Sequence, residues 1–311
     1  MVLIHPKPRV SIVICTYNRA DLLQITLNSL PALKAIDKAE ILIVDNNSTD
    51  HTREISQSFI QRQAGGTDVH YLFEQTQGLS AARNRGIQEA KGDIVAFLDD
   101  DAVPCMEWIR TIIDTLDTRQ DVYAMGGVIR PRFESERPKW LIEELELPYT
   151  IVDMGATVHE YPMNRHPFGA NMAIRKSFHD KYLFPTDLGR KGTLLLSGEE
   201  SWIFEQMKKE GKAILYQPSM VVDHFIPDSR LTKDWIKQRY YYQGVTNGSM
   251  HKSQISKLVL LGKVASKVLY IVVDALFART EGRKLLITCR MQSIKGTLDT
   301  LSRRGKMRLI G

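Results

Sequence analysis

Four short runs of apolar, β-favouring residues recur early in the chain: Val10–Cys15, Glu40–Val44, Val69–Phe73 and Ile94–Leu98. Between them lie segments of helical length, Ala20 to Leu30, His51 to Gln63, and a third opened by Gly78 and Ser80. In the third, Leu79, Ala82, Ile87 and Ala90 share one face. Asp21 suits the N-terminus of the first helix and Asp50 that of the second. Parallel strands need crossover connections, and strands apolar on both sides must be covered on both sides. The alternation therefore predicts an α/β fold with a mainly parallel sheet and helices on both faces. In such sheets ligands bind beyond the carboxyl ends of the strands. Thr16-Tyr17-Asn18, Asp45 and Asp99-Asp100-Asp101 all follow directly on strand ends, so three segments converge on one crevice.

The last of these is the most loaded. In IVAFLDDDAVP (94–104) a buried strand runs straight into three adjacent carboxylates. Three like charges at a strand end repel one another, and a hard divalent cation relieves that cost. Mg²⁺ commonly takes one or two protein carboxylates and completes its shell with substrate phosphates. The expectation is Mn²⁺ or Mg²⁺ held between the protein and a diphosphate.

Other chemistries are excluded. No G-x-G-x-x-G follows the first strand and no G-x-x-x-x-G-K-[ST] occurs, which removes the dinucleotide and P-loop readings. Cys15, Cys105 and Cys289 are odd in number and far apart, so neither a disulfide framework nor zinc spacing is present, as expected of a reducing compartment. MVLIHPKPRV is too poor in apolar residues for a signal peptide, and no uncharged run reaches spanning length.

VSIVICTYNRADLL, ILIVDNNSTDHT, GLSAARNRGI and FLDDDAVP, in that order, resemble a family 2 glycosyltransferase of the GT-A fold. The resemblance continues at FGANMAIR (168–175) and SGEE (197–200) and covers roughly Arg9 to His224. It implies roles position by position. Thr16, Tyr17 and Asn18 would line the nucleobase site, Asp45 would bond the base, and Arg83 would reach the base or ribose. Asp99 and Asp100 would face ribose and sugar. Asp101 would bind the metal, with Asp99 and His224 beside it, and Asn171 would lie near the donor and acceptor sugars. The donor would be a nucleotide-diphosphate sugar, UDP-linked, and transfer would invert the anomeric centre.

An inverting transfer needs a base for the acceptor hydroxyl. Gly198-Glu199-Glu200 opens a helix, where the dipole favours a carboxylate. The family has Glu-Asp here; Glu-Glu leaves both residues open as the base, with Glu200 preferred by alignment. Further on, Met125–Ile129 reads as a strand with a close approach at Gly126-Gly127. Ala213–Gln217 and Ser219–Val222 read as short strands. The segment Arg239–Gly244 resembles a mobile region that closes on the donor.

Residues 251–311 carry seven Lys and six Arg against two Asp and one Glu, a net +10, which leaves the first 250 residues at −4 of the overall +6. Ile255–Ala278 is apolar but interrupted by Lys257, Lys263, Lys267 and Asp274, and Arg303-Arg304-Gly305-Lys306-Met307-Arg308 follows. This predicts a basic amphipathic helix on an anionic membrane surface, in a chain divided into a catalytic domain (1–225) and a C-terminal helical extension (226–311). A homo-oligomer is the other use of such helices. No nucleic-acid module accompanies the charge. The expected acceptor is a saccharide or a lipid-linked one, for polysaccharide or glycolipid synthesis on the cytoplasmic face of the membrane. The alternatives are a sugar-nucleotide nucleotidyltransferase, which should carry a basic triphosphate loop after the first strand, and an inactive membrane-associated scaffold of the same fold.

Overall fold

The structure is a computed structural model and describes residues 7–63, 65–192, 194–250, 254–276 and 278–302. Its first elements follow the expected alternation: β1 (Val10–Thr16), α1 (Ala20–Ser29), β2 (Ala39–Asp45), α2 (Thr52–Arg62), β3 (Asp68–Phe73), α3 (Leu79–Glu89) and β4 (Ile94–Phe97). These strands are parallel, with Thr16 beside Asp45 and Val13 beside Phe97. Then come β5 (Ala102–Pro104), α4 (Trp108–Thr118), β6 (Val122–Phe133), β7 (His159–Glu160), β8 (Met172–Arg175), α5 (Lys176–His179), α6 (Glu199–Lys209) and β9 (Ala213–Ile226). The sheet order is β3-β2-β1-β4-β8-β6-β9-β5, with β7 on β9. β8 runs antiparallel to β4 and β6, and β5 antiparallel to β9, so a parallel half meets an antiparallel half.

Successive strand residues point to opposite faces, and the core divides accordingly. Ile12, Ile14, Ile41 and Ile43 pack with Leu23 and Leu27 of α1 and Trp108 and Ile112 of α4. Val13, Leu42 and Val44 pack with Ala82 of α3 and Ile203 and Phe204 of α6. Helix α4 adds to the expected set. Its buried positions Trp108, Ile109, Ile112, Ile113 and Leu116 carry the helical period in plain view.

Asp21 stands in the first turn of α1, as expected, though its side chain makes no capping bond. Ala20 N–H donates to Asp50 Oδ2 (3.0 Å), while Asp50 Oδ1 accepts from Thr52 N–H (3.1 Å) and its hydroxyl (2.6 Å). One carboxylate thus holds the starts of α1 and α2. Its burial works against the charge, but these bonds outweigh that and hold its pKa below the usual carboxylate range. The two short strands expected around Pro218 are one strand, β9. The close approach at Gly126-Gly127 is present: a Cβ on Gly127 would lie 2.0 Å from the Met220 carbonyl oxygen.

The chain forms two compact units. The first comprises residues 1–132, 150–187 and 199–225 and contains the sheet. The second comprises 133–149, 188–198 and 226–311, so two inner segments assigned by sequence to the catalytic domain group with the helices instead. Its helices are α7 (Lys233–Met250), α8 (Gln254–Leu276) and α9 (Glu281–Leu301). Arg239–Gly244, expected as a mobile region, is the interior of α7. The side chains of Lys257 and Lys263 and the whole of Arg303–Arg308 lie outside the described residues.

α7 and α9 approach until their backbones nearly touch. A Cβ on Gly244 would lie 2.0 Å from the Ser293 carbonyl oxygen, and one on Gly296 would lie 2.1 Å from that of Tyr241. Backbone cannot yield as a side-chain tip can. Gly244→Ala should lower stability by about 1–3 kcal/mol, the usual overpacking cost. Gly262→Ala in α8, where nothing lies within 4 Å, should gain roughly 0.5–1 kcal/mol from helix propensity. Denaturant unfolding of both variants checks the pair; equal effects would contradict the close approach.

Candidate active site

The site is built where β1, β2 and β4 end. Asn18 takes a left-handed backbone (φ 51°), and its N–H donates to Ser48 Oγ (3.0 Å) while its Oδ1 accepts from Thr49 N–H (2.7 Å). The loops after β1 and β2 are stitched together in this way. Asp45 is buried, with Oδ1 accepting from Ser48 N–H (2.9 Å) and Oδ2 from the Tyr71 hydroxyl (2.7 Å). Thr16 is buried and Tyr17 exposed beside it.

After β4, Asp100 and Asp101 are buried and Asp99 is half-buried. Sequence reasoning missed their counter-ion. Arg19 Nη1 donates to Asp100 Oδ1 (3.0 Å) and Asp101 Oδ2 (2.8 Å). It stands in the TYNR segment that closes β1, so the signal was a charge placed beside the predicted crevice. Burial, with Asp101 next to it, pushes the Asp99 carboxyl up. Burial also pushes Asp100 up, to about 6, outweighing the attraction of Arg19.

His224 reaches this cluster through the sheet. β5 pairs with β9 so that Ala102 faces His224, and Phe225 N–H donates to the Asp101 carbonyl (2.9 Å). His224 Nε2 lies 3.1 Å from Asp101 Oδ1. Ligand atoms of Asp99, Asp101 and His224 all fall within 4.8 Å of one another. Two carboxylate oxygens and an imidazole nitrogen suit Mn²⁺ or Mg²⁺. Arg19 fixes the other Asp101 oxygen, which turns Oδ1 toward the cluster. A second grouping, Glu40, Asp68 and His70, stands at the opposite ends of β2 and β3, where Lys91 Nζ lies 3.4 Å from Asp68 and 4.0 Å from Glu40; an ammonium already answers its charge.

Glu199 and Glu200 begin α6, and both meet Arg83. Its Nη1 donates to Glu199 Oε1 (3.0 Å) and its Nη2 to Glu200 Oε1 (2.9 Å), which also accepts from Gly169 N–H (2.9 Å). The guanidinium is buried, 5.8 Å from the Phe97 ring centre and 5.3 Å from that of Phe184. Arg83 was expected at the base or ribose; in the structure it anchors the two candidate bases. A Cβ on Gly169 would come within 1.8 Å of Arg83 Nη2 and 2.6 Å of Glu200 Oε1, so a larger residue there would push on the pair. The Glu200 side chain is 15% exposed against 6% for Glu199.

Asn171, expected near the sugars, has its side chain turned into the protein. Its Nδ2 donates to the Val128 (3.0 Å) and Met220 (2.8 Å) carbonyls, and its Oδ1 accepts from Trp108 Nε1 (2.8 Å). It is 1% exposed and fastens β6, β9 and α4 to the start of β8.

The Glucosyl-dolichyl phosphate glucuronosyltransferase of Haloferax volcanii is 27% identical over 248 residues, covering 78% of this chain and 77% of that one. The succinoglycan biosynthesis protein ExoM of Rhizobium meliloti is 26% identical over 250 residues, covering 78% and 74%. Among solved structures, a Pyrobaculum calidifontis mannosyltransferase in complex with GDP-Man and Mn²⁺ superposes with a TM-score of 0.65 at 18% identity, over 95% of this chain and 88% of the other. That likeness shows the GT-A architecture. Residues 11–183 match the description Glycosyl transferase family 2, a span that runs from β1 through the aspartates and the Gly169 turn, and the chain belongs to that family of glycosyltransferases.

Proposed function

We propose that the protein transfers a sugar from a UDP-linked donor to an acceptor hydroxyl with inversion, in the synthesis of a polysaccharide or glycolipid. The observation that carries the reading is the meeting of Asp99, Asp101 and His224 at the end of the parallel sheet, in a chain whose α6 opens with two anchored carboxylates. Thr16, Tyr17, Asn18 and Asp45 form the nucleobase side, and Asp100 faces the ribose. A divalent cation held by Asp101, Asp99 and His224 would offset the charge of the departing diphosphate. Glu200 Oε1 is held by Arg83 and Gly169, so Oε2 is the atom left to take the proton from the acceptor hydroxyl. The acceptor's hydroxyl oxygen, not the carboxylate, bonds to the anomeric carbon as the bond to the diphosphate breaks and its electron pair leaves with the nucleotide. Solved structures similar in fold carry GDP-Man and Mn²⁺ or UDP, GalNAc and Mn²⁺, which supports a metal-assisted donor site. The relative named for glucosyl-dolichyl phosphate supports a saccharide or lipid-linked acceptor; the cytoplasmic face of a membrane is where this reading puts the encounter.

The test is thermal unfolding with UDP-, GDP- and dTDP-sugars, with and without Mn²⁺, at pH 7 and pH 5. A ligand at about 100 times its dissociation constant adds about 2.7 kcal/mol to the folded state. Donor with Mn²⁺ should raise the midpoint far more than either alone, and UDP-sugars most. The pH sign follows from Asp100. A folded pKa of about 6 lies above the unfolded value, so that carboxyl contributes stability at acid pH which fades as pH rises through about 6. Burial and Asp101 also hold the Asp99 carboxyl, a member of the cluster, above its usual range, and protons there compete with a cation. The midpoint shift from Mn²⁺ plus donor should therefore shrink from pH 7 to pH 5. A shift that is metal-independent, or larger at pH 5, would contradict the reading.

A further inference from the structure

α8 has two unlike sides. One packs on α9: Lys267 Nζ donates to Ser293 Oγ (2.8 Å), Asp274 pairs with Arg283 (3.7 Å) and with Arg290, and Arg290 lies 5.6 Å from the Tyr270 ring centre. The other side is open. Val268, Leu269, Val272, Val273 and Leu276 are all exposed, Leu269 by 64% and Leu276 by 73%. At 3.6 residues per turn they fall within an arc of about 140°. Among the described residues of α8, none that is exposed carries a charge. Compare α2, an ordinary water-facing helix, which exposes Arg53, Glu54, Gln57, Gln61 and Arg62.

We propose that this face of α8 docks on an anionic lipid surface, with the helix lying in the interface and not crossing it. Among the described residues no helix is long and apolar enough to cross a membrane, and Lys267 and Asp274 are engaged on α9. A contiguous uncharged face accompanied by basic sequence is the pattern of an interfacial helix. Arg279, just past the end of α8, is exposed. The sequence then adds Arg303, Arg304, Lys306 and Arg308 with no acid. Anionic headgroups complement that charge, each basic residue near the surface adding to the attraction. A second copy of the chain would not: residues 251–311 carry a net +10 in each copy, and like charges across a two-fold contact oppose it. The surface deepens the placement at a membrane in the proposed function, but docking itself needs no donor, acceptor or metal.

The full chain should float with phosphatidylglycerol-containing vesicles and stay behind with pure phosphatidylcholine, and raising salt should weaken the flotation. Leu269→Glu with Val272→Glu should reduce the bound fraction ~10-fold or more, since the apolar contact is then lost. Arg279→Gln should weaken binding less and lower its salt dependence. All three positions are exposed, so the unfolding midpoint should hold. Three results would overturn the proposal: no flotation of the unaltered chain on anionic vesicles, equal flotation of the glutamate variant, or a lipid-free dimer that this variant splits, which would assign the face to a second copy. Donor-induced thermal shift, measured on the same samples, reports the catalytic reading separately, so loss of flotation with the shift intact counts against the surface alone.

Discussion

Asp101→Asn should abolish sugar transfer, lowering turnover by ~10³-fold or more, equivalent to about 4 kcal/mol of transition-state stabilisation. The reasoning starts from the sheet. β4 delivers three carboxylates into a buried corner, and Arg19 bonds to Asp100 and Asp101. The cluster formed by Asp99, Asp101 and His224 keeps two acidic oxygens and an imidazole within 4.8 Å. Asp101 is the member tied into every part of it: Oδ2 to Arg19, Oδ1 toward His224, and its carbonyl to Phe225 N–H. Removing its charge takes the centre from the donor set. The fold should survive, because the amide keeps the shape and one like charge leaves a crowded site. Breaking a buried ion pair usually costs about 3–5 kcal/mol, but relief of repulsion with Asp99 and Asp100 works against that here. The unfolding midpoint without ligand should therefore move little, while the Mn²⁺-dependent shift with donor disappears. Unchanged turnover and unchanged Mn²⁺ dependence in Asp101→Asn would remove Asp101 from the metal site.

How much of this could be read from the residues depended on how far apart the partners lie. The parallel strands were visible because each is a local run of apolar residues, and the crevice followed because ligand sites in such sheets lie beyond strand ends. The aspartates are contiguous, so their shared burden needed no tertiary knowledge. The antiparallel half was harder. β5 is three residues long, yet it sets the register that puts His224 against Asp101. Arg83 and its glutamates are 116 and 117 residues apart, and no periodicity links a helix arginine to the start of another helix. Its burial between Phe97 and Phe184 was equally out of reach, since a guanidinium on a helix is by default a solvated one. Asn171 runs in the opposite direction: a polar residue in a glycine turn resembles a ligand contact, while its three bonds point into the protein. Asp50 likewise caps a helix that precedes it by thirty residues as well as its own. The glycines of α7 and α9 are single letters in the sequence, and only the packed pair shows that they are where two backbones meet.

Glu200→Gln separates the proton acceptor from the scaffold that holds it. The glutamine carbonyl can still accept from Arg83 Nη2 and from Gly169 N–H, the two bonds that Oε1 makes at 2.9 Å each. The start of α6 and the Gly169 turn should then stay in place, and donor binding with Mn²⁺ should be kept. What disappears is the basic oxygen. Turnover should drop 10²–10⁴-fold, about 2.7–5.4 kcal/mol, the usual contribution of a positioned general base. Glu199→Gln should behave in the other way. Glu199 is the more deeply buried of the two and pairs with the same guanidinium, so losing its charge leaves a buried Arg83 with one anionic partner fewer. Its expected mark is a lower unfolding midpoint with turnover reduced by less than the Glu200 variant. A turnover loss confined to Glu199→Gln would transfer the base to that residue. Equal losses would mean that Arg83 couples the pair into one unit, and the double variant would then be no slower than either single one.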